Sequence, residues 1–215
     1  MNTRDLASAG PIIPVIVIQR VEDAVPLANA LLAGGVTVLE VTLRSKVALQ
    51  AMEAIAVAVP EAIVGAGTIR SVADARAAKD AGCKFAVSPG YLQEIGQVCE
   101  EIGLPLLPGV STASEVMAAN AGGYDFLKLF PATAVGGMGL LKALNGPFPD
   151  VMFCPTGGIT LETAPQFLAL PNVLVCGGSW LTPEASIAAG DWARITRLAQ
   201  QTREIVSPRA LGTKA

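Results

Sequence analysis

The chain has 215 residues, a net charge of −3 and no histidine, with 52% hydrophobic and 15% charged residues. No basic run and few aromatic residues argue against nucleic-acid binding, and no apolar stretch approaches the roughly 20 residues of a membrane-spanning helix. Without histidine, acid–base work falls to carboxylates, a lysine or water, and a metal site is not expected.

The N-terminus begins Met1-Asn2-Thr3-Arg4-Asp5-Leu6, with no long apolar core and no cleavage pattern, so no signal peptide is expected. From there β-like runs alternate with helical stretches to the end of the chain. The candidate strands are 12–18, 38–43, 62–67, 85–88, 104–108, 126–130, 151–155 and 173–176. Their spacing is that of one strand, one helix and two short loops. Ser71 and the run 111–115 (STASE) carry helix-start signals. Gly34-Gly35, Gly82, Gly103 and Gly122-Gly123 sit where helices should stop. Four scattered cysteines, Cys83, Cys99, Cys154 and Cys176, form no CxxC pair and read as reduced thiols of a cytoplasmic protein.

Eight such units predict a single-domain (β/α)₈ TIM barrel over 1–215, with 1–10 as an N-terminal extension and 208–215 as a loose tail. An open doubly wound sheet would need more distinct edge strands. The high apolar content suits a barrel, whose strands are covered on both faces. In that architecture chemistry belongs at the C-terminal strand ends.

On the second strand Glu40, Thr42 and Arg44 alternate onto one face within an apolar run. Glu40 there suits proton transfer, and Arg44 at the strand end suits a carboxylate. A buried ion pair fixing the barrel is the other reading of Glu40. The third strand ends Gly65-Ala66-Gly67-Thr68, whose small residues leave room for a ligand beside a hydroxyl. On the sixth strand Phe126, Lys128 and Phe130 share a face. An ammonium taken out of water loses solvation, which favours the free amine that attacks carbonyls. A structural lysine paired with a carboxylate fits that strand equally well.

The seventh and eighth strands end in Thr156-Gly157-Gly158 and Gly177-Gly178-Ser179. Paired glycines at these strands let backbone N–H groups approach a phosphate, and a helix N-terminus can add its dipole. Turn chemistry is the plainer reading of either pair alone. Taken together, a lysine, a glutamate, an arginine and a glycine cradle suit a carbonyl compound with a carboxylate at one end and a phosphate at the other.

Eight motifs carry a family resemblance: 11–17 (PIIPVIV), 39–44 (LEVTLR), 64–68 (VGAGT), 88–90 (SPG), 108–112 (PGVST), 126–132 (FLKLFPA), 153–158 (FCPTGG) and 177–180 (GGSW). On these the sequence resembles the 2-keto-3-deoxy-6-phosphogluconate (KDPG) aldolases, whose members often also act on 4-hydroxy-2-oxoglutarate. The resemblance implies a homotrimer with no metal and no cofactor. It implies a class I cleavage to pyruvate and glyceraldehyde 3-phosphate, with Lys128 as the Schiff-base lysine and Glu40 as the proton-transfer residue. By the same resemblance Arg44 and Thr68 surround the pyruvate carboxylate, and Gly157, Gly158 and Ser179 the phosphate. Pro89 and Phe130 line the pocket and Thr156 contacts the C4 hydroxyl. Two positions depart from the family pattern, Ser45 where threonine is frequent and Thr133 where glutamate is frequent; neither has a role in the chemistry. Rival readings are an aldolase for the galactonate epimer, a phosphosugar isomerase or epimerase, and a non-catalytic barrel binding a phosphorylated metabolite.

Overall fold

A computed structural model describes residues 3–205; the tail expected over 208–215 lies outside the described residues. Every strand pair is parallel, as repeated βα units require. β1 (Ile12–Ile16), β2 (Val38–Thr42), β3 (Ile63–Gly67), β4 (Phe85–Val87) and β5 (Leu106–Leu107) lie side by side in chain order. β9 (Cys176–Gly178) pairs with the other edge of β1, giving a six-stranded sheet. β6 (Gly109–Val110), β7 (Phe126–Leu129) and β8 (Met152–Pro155) form a second, three-stranded sheet. Only Pro108 separates β5 from β6, and its carbonyl accepts from Lys128 N at 2.8 Å. Single parallel bridges, Phe153↔Val173 and Thr156↔Gly177, join β8 to the run that becomes β9.

The helices begin and end where local chemistry directs. Ser71 caps α3 (Val72–Asp80) by accepting from Asp74 N at 3.1 Å. Thr112 and Glu115 form a reciprocal capping box at α5 (Ala113–Ala121). Gly35 follows α1 (Ala24–Ala33) at φ +85°, a left-handed conformation that costs glycine little. The remaining helices are α2 (Ala48–Ala58), α4 (Gln93–Glu101), α6 (Gly137–Asn145), α7 (Ala164–Leu168), α8 (Glu184–Ala188) and α9 (Trp192–Arg203). None of the described helices is long and apolar enough to cross a membrane.

Strand residues alternate between two apolar clusters. Leu39, Val41, Val64, Ala66, Leu127 and Leu129 pack against the helices in the larger one. Ile13, Val38, Phe85, Leu107, Phe126, Met152 and Val175 meet in the smaller one, so both sheets turn one face toward a common interior. The segment expected as an extension coils into a short 3₁₀ helix, Thr3–Ala9, and sends Leu6 into that interior at 1% exposure. An ion pair between Arg4 and Asp125 at 2.8 Å ties the same segment to the residue before β7.

Two features differ from the sequence reading. The room left by Gly65 is taken by the ring of Phe85, its register partner on β4, which a Cβ at Gly65 would strike. The last strand, expected over 173–176, forms its ladder at Cys176–Gly178. Val173 reaches only β8, and the partner edge of β1 does not begin until Ile12, opposite Cys176.

Phe85→Ala empties the volume that Gly65 and its neighbours have made available. We expect it to lower unfolding free energy by about 3–5 kcal/mol, read from the shift of the urea midpoint. A loss below about 1 kcal/mol would show that the interior closes over the gap.

Candidate active site

Glu40 and Lys128 come from different sheets and meet across the common interior. Lys128 Nζ donates to Glu40 Oε1 at 3.1 Å, with the two side chains 7% and 4% exposed. Period-two alternation places them there: Val38 and Phe126, two residues earlier on each strand, sit in the interior cluster below. Lys128 is held in register between Gly109 on β6 and Cys154 on β8. Its ammonium also lies 5.2 Å from the centroid of the Phe130 ring, within range of a cation–π attraction.

The carboxylate reaches this position because Gly67 on β3 has no side chain. A Cβ there would overlap the Glu40 carboxylate and come within 2.8 Å of its Cγ. Gly67, read from sequence as space for a ligand, is therefore space for Glu40. Cys154 faces the same interior; burial pushes its thiol up to about 12, against the opposing pull of Lys128, so it stays protonated at neutral pH. It does not compete as a base or an anionic nucleophile.

At the C-terminal ends of the strands a cavity of about 120 Å³ opens, lined by Arg44, Phe130, Thr156, Gly157, Gly158, Gly177 and Ser179. All seven are candidates on sequence grounds. Val15 and Ile159 also line it and are not among those candidates; continuing the alternation of β1 from Ile13 would have found Val15. Larger hollows exist, one of about 600 Å³ beside Tyr91 and Tyr124. Lys128 and Glu40 do not themselves line the smaller cavity; it adjoins the pair through Phe130, whose ring in its wall lies beside the lysine nitrogen.

Each strand end has its own support. Thr42 Oγ1 donates to Ile16 O at 2.8 Å and accepts from Arg44 Nε at 3.0 Å. Gly157 and Gly158 adopt φ +99° and +77°. Thr133 backs this turn, its backbone N–H and its hydroxyl each donating to Gly157 O at 3.2 Å. Gly177 makes room for Thr156, which a Cβ would strike. Gly178 lies in β9 opposite Pro14, against the ring of Trp180, and is not part of the cavity wall. Thr68 and Pro89 also stand outside that wall. Thr68 holds φ +66°, a conformation that costs a β-branched residue about 1–3 kcal/mol and clusters at functional sites.

The helix dipole expected at the glycine pairs is not there. The next helices start at Ala164 and Glu184, several residues past Gly158 and Gly178, and each is five residues long. What the strand ends offer instead is the turn's own backbone. Among the described residues no group of three or more cysteine, aspartate or glutamate side chains is arranged to hold a metal ion.

A family model described as KDPG and KHG aldolase matches residues 4–198. A 2-dehydro-3-deoxy-phosphogluconate aldolase of Pseudoalteromonas atlantica is 49% identical, covering 94% of both chains. A KHG/KDPG aldolase of Escherichia coli is 48% identical, over 94% of this chain and 95% of that one. Among solved structures, a KDPG aldolase from Legionella pneumophila, with pyruvate captured as a covalent carbinolamine intermediate, superimposes with a TM-score of 0.92. It is 44% identical and the match covers 94% of this chain and 98% of that one.

The buried pair is costly to break from one side. Lys128→Met leaves the Glu40 carboxylate without its partner and should cost about 3–5 kcal/mol, whereas Lys128→Met with Glu40→Leu should recover most of it. Urea unfolding of the two variants decides: a double variant no more stable than the single one would mean that the interior needs the charges themselves.

Proposed function

The chain belongs to the KDPG and KHG aldolase family, and from that premise we propose that its buried amine–carboxylate pair runs a Schiff-base aldol cleavage. The protein is a carbon–carbon lyase, a class I aldolase that splits 2-dehydro-3-deoxy-6-phosphogluconate into pyruvate and glyceraldehyde 3-phosphate and acts on 4-hydroxy-2-oxoglutarate as well. The observation that carries the residue assignment is the 3.1 Å contact between Lys128 Nζ and Glu40 Oε1 in a site nearly closed to water.

In this reading Lys128 passes its proton to Glu40, and the amine so freed attacks C2 of the keto acid. Glu40 returns that proton to the carbinolamine hydroxyl, which leaves as water to give an iminium, the electron sink for the cleavage, so no cofactor is assigned. Glu40, again a carboxylate beside the nitrogen, takes the proton of the C4 hydroxyl as the C3–C4 bond breaks, and the aldehyde leaves. The electron pair of that bond becomes the enamine of pyruvate. Protonation at C3 by Glu40 and hydrolysis of the iminium return pyruvate and the lysine ammonium. Cutting the water supply to the site strengthens each of these electrostatic contacts.

The ends of the substrate are assigned to the cavity wall and its edge. Arg44, with Thr68 close by, takes the carboxylate. Gly157, Gly158, Gly177 and Ser179 take the phosphate through backbone N–H groups and one hydroxyl, while Gly178, paired with Pro14 outside the wall, is left to the strand. Thr156 faces the C4 hydroxyl, and Phe130 and Pro89 shape the pocket. Holding both ends keeps C2 against the nitrogen, an orientation effect that supplies several kcal/mol of barrier reduction.

We also infer the closed (β/α)₈ barrel. With β5 and β6 counted as one strand interrupted at Pro108, the strands number eight, and the bridges from β8 toward β9 supply the last seam. The domain is read as one unit over 1–215. The assembly is read as a homotrimer; exposed Val57, Leu92 and Met117 are apolar surface that such an assembly could cover.

Borohydride added with pyruvate should reduce the adduct and leave a stable mass increase on the peptide carrying Lys128. Label on another lysine, or a fully active Lys128→Ala, refutes the assignment. Glu40→Gln should still be trapped while kcat falls about 10²-fold or more; unchanged turnover makes Glu40 structural. Light scattering should return three times the chain mass, and a monomer or dimer would overturn the trimer.

A further inference from the structure

Thr42 stands between two groups assigned to the chemistry yet has no part in it. It is 1% exposed on β2, two residues after Glu40 and two before Arg44. A hydroxyl has one proton to give. Here that proton goes to Ile16 O on β1 at 2.8 Å, which sets the rotor and leaves a lone pair for Arg44 Nε at 3.0 Å. Arg44 itself is exposed. A guanidinium on a long flexible stem gives up much of its freedom when it grips an anion, unless it has been ordered beforehand.

We propose that Thr42 is a positioning residue for Arg44: its hydroxyl, anchored on the Ile16 carbonyl, occupies Nε and so orients the terminal nitrogens for the keto acid's carboxylate. The proposal rests on the reading of Arg44 as the carboxylate-binding group. The demand at this position is chemical rather than steric. Elsewhere on the same interior face of the sheets a buried β-branched position is filled by valine, at Val38, Val87 and Val175, and valine would fill position 42 equally well. Because Glu40 and Thr42 alternate on β2 and Arg44 follows two residues past its end, in the turn, the same backbone then sets how far the carboxylate is held from the proton-transfer group.

Four variants test this: Thr42→Val, Thr42→Ser, Arg44→Ala and the double variant Thr42→Val with Arg44→Ala. Pyruvate affinity is read from the half-saturating concentration for borohydride inactivation, beside KM and kcat for the phosphorylated substrate and inhibition by inorganic phosphate. Thr42→Val should weaken pyruvate about tenfold and raise KM in step, with kcat within about threefold of the parent and phosphate inhibition unmoved. Thr42→Ser should restore pyruvate affinity to within about twofold. In the Arg44→Ala background the valine should add almost nothing, since the residue it acts through is gone. A valine effect of equal size without Arg44, failure of serine to rescue, or a parallel loss of phosphate inhibition overturns the positioning role. Parental pyruvate affinity in Arg44→Ala would instead remove the reading of Arg44, and this proposal with it.

Discussion

Placing an ammonium and a carboxylate together in an interior nearly free of water is the constraint around which the rest of the molecule is arranged. Each charge costs several kcal/mol to bury, and the attraction between them offsets that cost only if the geometry is held. Lys128 and Glu40 are held by parallel ladders on both sides of each strand, in two different sheets. A helix or loop would let one of them swing toward water. Strands whose backbones are fully paired do not.

Space is the second requirement, and glycine supplies it. Gly65, Gly67 and Gly177 all face the interior, and each lies where a neighbouring strand brings a larger side chain, Phe85, Glu40 and Thr156 in turn. The interior is therefore close-packed in a way that alternates nothing with something across adjacent strands, as small barrels do when they are filled by side chains. Beneath the pair the filling is aromatic and aliphatic; above it the interior turns polar, with the buried Thr42 and then Thr156 and the turn at Gly157 in the cavity wall. That gradient lets a polar substrate approach from one end while water is kept from the other.

The resemblance in the sequence and the geometry of the site agree with the one chemistry proposed. Eight short motifs point to a Schiff-base aldolase, while the fold brings the two groups that such chemistry needs within hydrogen-bonding distance. The wall carries an arginine and a glycine turn. Helix dipoles contribute nothing there, since α7 and α8 begin too late, so in the proposed reading the phosphate rests on turn backbone and on the bonds from Thr133 that stiffen it.

Period-two alternation and loop spacing by themselves determined that this chain makes repeated βα units, that Glu40 shares a face with Thr42 and Lys128 with Phe126, and that polar residues and glycines gather at the ends of the strands. Those properties are local: they depend on which residue comes two places later, or on a glycine or a cap at a helix end. The sequence left both Glu40 and Lys128 open to structural readings, and it took the space at Gly65 and Gly67 for a ligand's. Only the tertiary structure decided that the two charged residues pair with each other, that the glycines accommodate Phe85 and Glu40, and that Thr42 links β1 to Arg44. These depend on which strands become neighbours and in what register, and contacts between residues 88 apart, as for Lys128 and Glu40, leave no trace in local pattern.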